Sequence, residues 1–181
     1  MPRNSSKSSR PSSIRSIRRS ALDMLRDIET DAPLDVAALC ERLGDHRGRP
    51  IELVPYNFPN ISVFGLWVET TDSDLIFYEA DTVPEHQQHI VLHEIGHMVL
   101  GHRSDNDDDS IWREMIPNLP PDVVRKALRR ASYESAQEHD AEAFATTLTH
   151  WFKTFNATHA QQSTGPRNPL EAAFDTNKRW P

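Results

Sequence analysis

Apolar residues recur along this chain at two different periods, and the change between them divides it into helices and strands. From Ile14 through Ile17, Leu22, Leu25 and Ile28 the spacing is amphipathic, which predicts a first helix packed on the rest of the domain. Val36, Ala37, Leu39, Cys40 and Leu43 repeat that spacing, with Asp35 placed to cap a short second helix and Gly44 to end it. The pattern then predicts strands at Ile51 to Pro55, Ser62 to Glu69 and Asp74 to Tyr78, the last two joined by the polar turn Thr70 to Ser73. Beyond them, Ile90, Val91, Ile95, Met98 and Val99 return to helical spacing. Thr82-Val83-Pro84-Glu85 reads as a capping box with Thr82 as N-cap, and Gly101 as the stop, so this helix is expected from Val83 to Leu100. Another helix is expected around Ser135 to Ala145. The fold class predicted is α+β: a small three-stranded, mostly antiparallel sheet packed on a helical bundle.

The helix from Val83 carries the chemistry. His93-Glu94-Ile95-Gly96-His97 sets two imidazoles four residues apart, on one face of a helix with about 3.6 residues per turn. Two neutral ring nitrogens so placed can chelate Zn²⁺, while Glu94, turned roughly 100° around the axis, reaches a water and not the metal. That is the layout of a hydrolytic zinc site with His93 and His97 as ligands and Glu94 as general base. A catalytic zinc site also needs a third protein ligand. His102 lies nine residues from His93, about 180° around a helix, and reads as a cap or surface histidine.

The third ligand is expected from Glu138, Glu142 or Asp140 in Ser135 to Ala145. Glu138 and Glu142 share a helix face, and Ala141 and Ala145 are small enough for that helix to pack closely on the first. Ser135 and Glu138 also satisfy a capping box, in which Glu138 would close its own helix and leave Glu142 for the metal. The carboxylate not on the metal is placed to orient His93 or His97 through the free ring N–H.

His93-Glu94-Ile95-Gly96-His97-Met98-Val99-Leu100-Gly101-His102 and Glu138-His139-Asp140-Ala141-Glu142-Ala143-Phe144-Ala145 resemble the two motifs of the ImmA/IrrE zinc metallopeptidases of bacteria, phages and mobile elements. The paired strands before the active-site helix are similar as well, and the likeness spans roughly Leu34 to Phe152. The resemblance implies Zn²⁺ held by His93, His97 and Glu138, with Glu94 as general base in a gluzincin-like arrangement. Glu142 stands where that arrangement usually has Asp. The implied function is a zinc-dependent endopeptidase that hydrolyses a peptide bond of a partner helix-turn-helix repressor. The alternative is a non-proteolytic binding or toxin-type partner of such a regulator; a general peptidase unconnected with transcription is a third reading. Tyr133, His139 and His150 are candidates by residue type for stabilising an oxyanion.

Composition narrows the setting. Hydrophobic residues make up 37% of 181, enough for the core of one domain, expected over residues 14–155. A lone Cys40 at helical spacing among apolar neighbours reads as core, and a reducing, cytoplasmic compartment is expected. No apolar stretch is long enough for a membrane span. The net charge of −7 is unevenly spread: six of the 20 basic residues and none of the acidic ones lie in residues 1–20, leaving −13 on the rest. The acidic body argues against a nucleic-acid enzyme, and contact with nucleic acid is expected, if at all, through a disordered basic arm over residues 1–13. The aspartates and prolines between Arg103 and Ala131 read as a solvated loop able to cover a cleft, and residues 156–181 as a loosely ordered tail.

Overall fold

A computed structural model of the chain describes residues 13–28, 35–59, 63–102 and 135–163, with four helices and a three-stranded sheet among them. Helix α1 (Ile14–Asp27) begins where the Ser13 hydroxyl accepts the Ser16 amide at 3.2 Å. Its buried stripe, Ile17, Ala21, Met24, Leu25 and Ile28, follows the helical period, whereas Ile14 and Leu22 stay exposed. The rest of the expected basic arm lies outside the described residues.

Helix α2 (Val36–Arg47) is capped as expected, with the Asp35 carboxylate accepting from the Ala38 amide at 2.8 Å. It runs through Gly44 and ends at Gly48, whose φ of 64° is the left-handed conformation that favours glycine. Gly44 serves a different purpose. A Cβ there would lie 3.1 Å from the Arg49 carbonyl and 3.2 Å from the Ile51 amide, so a bare backbone is what lets the start of the sheet fold onto the helix.

The sheet contains β1 (Ile51–Tyr56), β2 (Gly65–Glu69) and β3 (Asp74–Glu79) in the order β1-β3-β2. β2 and β3 form the expected antiparallel hairpin, but β1 pairs with β3 in parallel, so the sheet has one pairing of each kind. The direction of β1 follows from a polar knot at its start. Buried Asp74 accepts from Arg47 Nη2 at 3.1 Å and from the Trp67 indole N–H at 3.2 Å, pairs by charge with Arg49, whose Nε stands 3.2 Å from Oδ1, and donates its own amide to the Pro50 carbonyl at 2.8 Å. Arg49 also donates to the carbonyls of Thr70, Thr71 and Ser73 in the hairpin turn. With the α2–β1 junction tied to the first residue of β3, the two strands start side by side and run the same way. A buried carboxylate is tolerated because charged and neutral donors meet both of its oxygens.

Helix α3 (Pro84–Leu100) lies between this sheet and α4 (Ser135–Ser163). The core joins Trp67 and Ile76 of the sheet to Val91, Leu92, Ile95 and Met98 of α3, to Phe144, Ala145, Leu148 and Phe152 of α4, and to the α1 stripe. Its N-cap is Val83 and not Thr82; Pro84 occupies the first turn, and the Thr82 hydroxyl meets His86 Nδ1 at 3.0 Å instead of capping. The end at Gly101, φ 67°, is as expected. α4 continues to Ser163, past the boundary expected at 155, because no glycine or proline interrupts it before Gly165 and Pro166. The segment from Arg103 to Ala131, expected as a loop, and the part of the expected tail after Ser163 lie outside the described residues.

Cys40 sits in the core at 2% exposure, and burial, with a further push from the Asp35 charge, raises its thiol from the ordinary 9.0 to about 12. The protonated thiol is thus favoured by folding. Its contribution to stability is fully present below about 9 and is lost as pH rises toward about 12. A thiol reagent at mildly alkaline pH is expected to leave Cys40 untouched in the native protein and to label it fully in denaturant; rapid stoichiometric labelling of the native chain would contradict this placement.

Candidate metal centre

The crossing of α3 and α4 assembles the site. Gly96 has no side chain to hold the helices apart: a Cβ there would stand 3.1 Å from the Ala141 carbonyl and 3.3 Å from Phe144 Cβ. That approach carries the α4 residue three positions before Ala141 onto the histidine face of α3. His93 Nε2 and His97 Nε2 lie 3.0 Å apart, Glu138 Oε2 is 3.2 Å from His93 Nε2, and Glu138 Oε1 is 3.7 Å from His97 Nε2. One ligand atom from each of the three residues lies within 4.8 Å of the others, so they could hold a metal ion. Ligands about 2.0–2.1 Å from a tetrahedral zinc-sized ion stand about 3.3–3.4 Å apart, and these separations bracket that value. The donor set fits: two nitrogen lone pairs and a carboxylate converge on one point from two helices. His97 is fully buried whereas the Glu138 side chain is 48% exposed, so the centre opens to solvent on the α4 side.

Both histidines are oriented from behind. His97 Nδ1 meets His102 Nδ1 at 3.0 Å, and with His97 Nε2 turned to the centre, its Nδ1–H is the donor and His102 the acceptor. Of the two readings of His102, the surface one fails and the cap holds: it is 9% exposed, with its ring against His97, and its amide closes the helix end by donating to the His97 carbonyl at 3.0 Å. Asp140 is absent from the ligand cluster; it is buried on α4 and acts electrostatically on His102. Burial lowers the His102 pKa, and the Asp140 charge opposes that shift. His93 Nδ1 faces Glu142 Oε2 at 3.6 Å. Glu142 is held in turn by His89 Nε2 at 3.0 Å and by the Thr146 hydroxyl at 3.3 Å.

Charge states follow from these surroundings. Burial drives His97 down to about 2, helped by His93 and His102, so it stays a neutral lone-pair donor. Burial also disfavours charge on His93, but the Glu138 hydrogen bond and the Glu94, Glu138 and Glu142 charges outweigh it and raise its pKa. Glu94, 6% exposed, is pushed up to about 7 by burial and by Glu138, against the pull of His93 and a hydrogen bond from the Trp67 main-chain N–H. β2 fits tightly against this carboxylate: a Cβ on Gly65 would come within 2.7 Å of Glu94 Oε1.

The structure thus brings together His93, His97, Glu138 and Glu94, with Glu142 behind His93. Glu138 points at the histidines and not back at its own helix end. His139 and His150 are exposed on α4 with no described contact to the cluster, and Tyr133 lies outside the described residues. His89 escaped sequence reasoning, although its place four residues before His93 continues the same helical stripe and was a usable signal. The roles of Gly65 and Trp67 depend on the packing of β2 on α3, which no local pattern encodes. Comparison with protein-family models, with curated proteins and with solved structures returns no match.

Metal content of the purified full-length chain, measured by mass spectrometry, checks the donor set. One equivalent is expected for the wild type and none for His97→Ala or Glu138→Ala. Glu142→Ala is expected to keep the stoichiometry with affinity weakened about 10–100-fold, the usual cost of losing a partner behind a ligand. Loss in Glu142→Ala with retention in Glu138→Ala would contradict the assignment.

Proposed function

We propose that this chain is a zinc-dependent endopeptidase, with the ion held by His93, His97 and Glu138. The observation that carries the reading is the convergence of the His93 and His97 Nε2 atoms with the Glu138 carboxylate beside a second, buried carboxylate, Glu94, on the same helix. Zinc, when bound, supplies the Lewis acidity that polarises a scissile carbonyl and acidifies water. Glu94 takes the proton from the attacking water and delivers it to the leaving amine. A carboxylate raised to about 7 is suited to both halves of that transfer. The Trp67 N–H holds one end of Glu94, and the indole of the same residue is anchored on Asp74, so the base is tied to the sheet.

Among the described residues β2 lies at an edge of the sheet. The Phe64 carbonyl accepts from the Glu79 amide at 2.8 Å, so by alternation the main-chain groups of Gly65 and Trp67 face away from β3. The Trp67 N–H on that side is taken by Glu94, so an extended peptide would pair with this edge at Gly65, beside the base, and present its scissile bond toward the histidines. The resemblance of His93 to His102 and of Glu138 to Ala145 to the ImmA/IrrE motifs supports a regulatory protein substrate, and a helix-turn-helix repressor is the one we propose. No helix among the described residues is long and apolar enough to cross a membrane, which is compatible with the proposed cytoplasmic setting.

Glu94→Gln is expected to retain zinc and to slow cleavage of a co-purified helix-turn-helix partner by at least about 10²-fold, followed by intact mass. Cleavage at the wild-type rate by this variant would contradict the assignment of the base.

A further inference from the structure

Glu142 raises a geometric problem that its neighbours solve. Its side chain is 53% exposed and has three free torsions, and its nearer oxygen stands 3.6 Å from His93 Nδ1, longer than a good hydrogen bond. An unrestrained carboxylate there would spend much of its time in solvent. Two donors restrain it. His89 Nε2 meets Oε2, the oxygen that faces His93, at 3.0 Å, and the Thr146 hydroxyl donates to Oε1 at 3.3 Å. His89 reaches that oxygen because it lies one turn before His93 on α3, so the two rings present nitrogens to a single carboxylate from adjacent turns. Thr146 lies one turn after Glu142 on α4 and takes the other oxygen.

We propose that His89 is a positioning residue for the metal centre: it anchors Glu142 beside His93 Nδ1 and so fixes the tautomer and direction of that ligand. The inference rests on the zinc reading above and extends it to a group that touches neither metal nor substrate. A histidine ligand must keep its proton on the nitrogen away from the metal, and a carboxylate held beside that nitrogen secures this before the ion arrives. Preorganisation of this kind shows in affinity, because a ligand already aimed loses less rotamer freedom on binding. His89 therefore acts only through Glu142, and its effect must vanish where Glu142 can no longer accept.

The test is a thermodynamic cycle on the full-length chain, with Zn²⁺ affinity read by competition against a chromophoric chelator. His89→Ala, an exposed-side helix substitution compatible with folding, is expected to weaken zinc binding about 10-fold, the lower end of the range for groups behind a ligand. His89→Gln, whose amide nitrogen reaches the position of the lost Nε2, is expected to restore affinity to within about 2-fold. In a Glu142→Leu background, His89→Ala is expected to change nothing further, since coupled groups fail to add. Wild-type affinity in His89→Ala, or an equal loss with and without Glu142, would overturn the proposal while leaving the zinc site intact. Absence of zinc binding in the wild type would overturn the zinc reading and this inference with it.

Discussion

The close crossing of α3 and α4 at Gly96 is the contact on which the rest of the centre depends. His93 and His97 could face one way on any helix; what makes them two-thirds of a candidate ligand set is a carboxylate delivered from elsewhere in the chain. That delivery needs the α4 backbone at Ala141 to sit within van der Waals reach of the α3 backbone, and a side chain at position 96 would hold it off. Small residues on both helices thus do for the proposed metal centre what the large ones, Phe144, Leu148, Ile95 and Leu92, do for stability. Each such residue fully buried contributes about 1.5–3 kcal/mol, which supports a helix pair that carries a desolvated histidine and carboxylate.

The same crossing determines the electrostatics. α3 is buried on nearly every side, against the sheet, α1 and α4, and the burial that stabilises it also strips water from Glu94 and His97. One consequence is a carboxylate raised toward neutrality, and the other is a histidine held neutral. Around them runs a layer of polar groups that keeps rings and carboxylates aimed: His102 on His97, Glu142 with His89 and Thr146 on His93, and the Trp67 amide on Glu94. The knot of Arg47, Arg49 and Asp74 reaches the site through Trp67, joining the start of the sheet to the proposed base.

Much of this was legible in local patterns, and what was not has physical reasons. The α+β class, the four helices and the β2–β3 hairpin followed from periodicity, because each depends on residues near one another in sequence. The parallel pairing of β1 did not, since alternation carries no direction and the arginine clamp that sets it spans the sheet. Gly44 resembled a stop signal but serves close packing, and only the position of β1 distinguishes the two. Thr82 and Val83 compete for one cap, and the proline after Val83 favours the later start. In the site, His93, Glu94 and His97 were evident from spacing, whereas Glu138, Glu142 and Asp140 could be ranked only by knowing which face of α4 meets α3. The surface reading of His102 failed because helical rotation was carried past Gly101, where the left-handed turn swings the chain back toward His97, and the cap reading held through its amide.

Zinc K-edge X-ray absorption on the purified full-length chain loaded with one equivalent of Zn²⁺ tests the central claim most directly. The account predicts two imidazole nitrogens and one carboxylate oxygen at about 2.0–2.1 Å with a low-coordinate, near-tetrahedral edge, and loss of one imidazole shell in His93→Ala. A six-coordinate, all-oxygen environment, unchanged by that substitution, would mean that the ion sits elsewhere and would contradict the account.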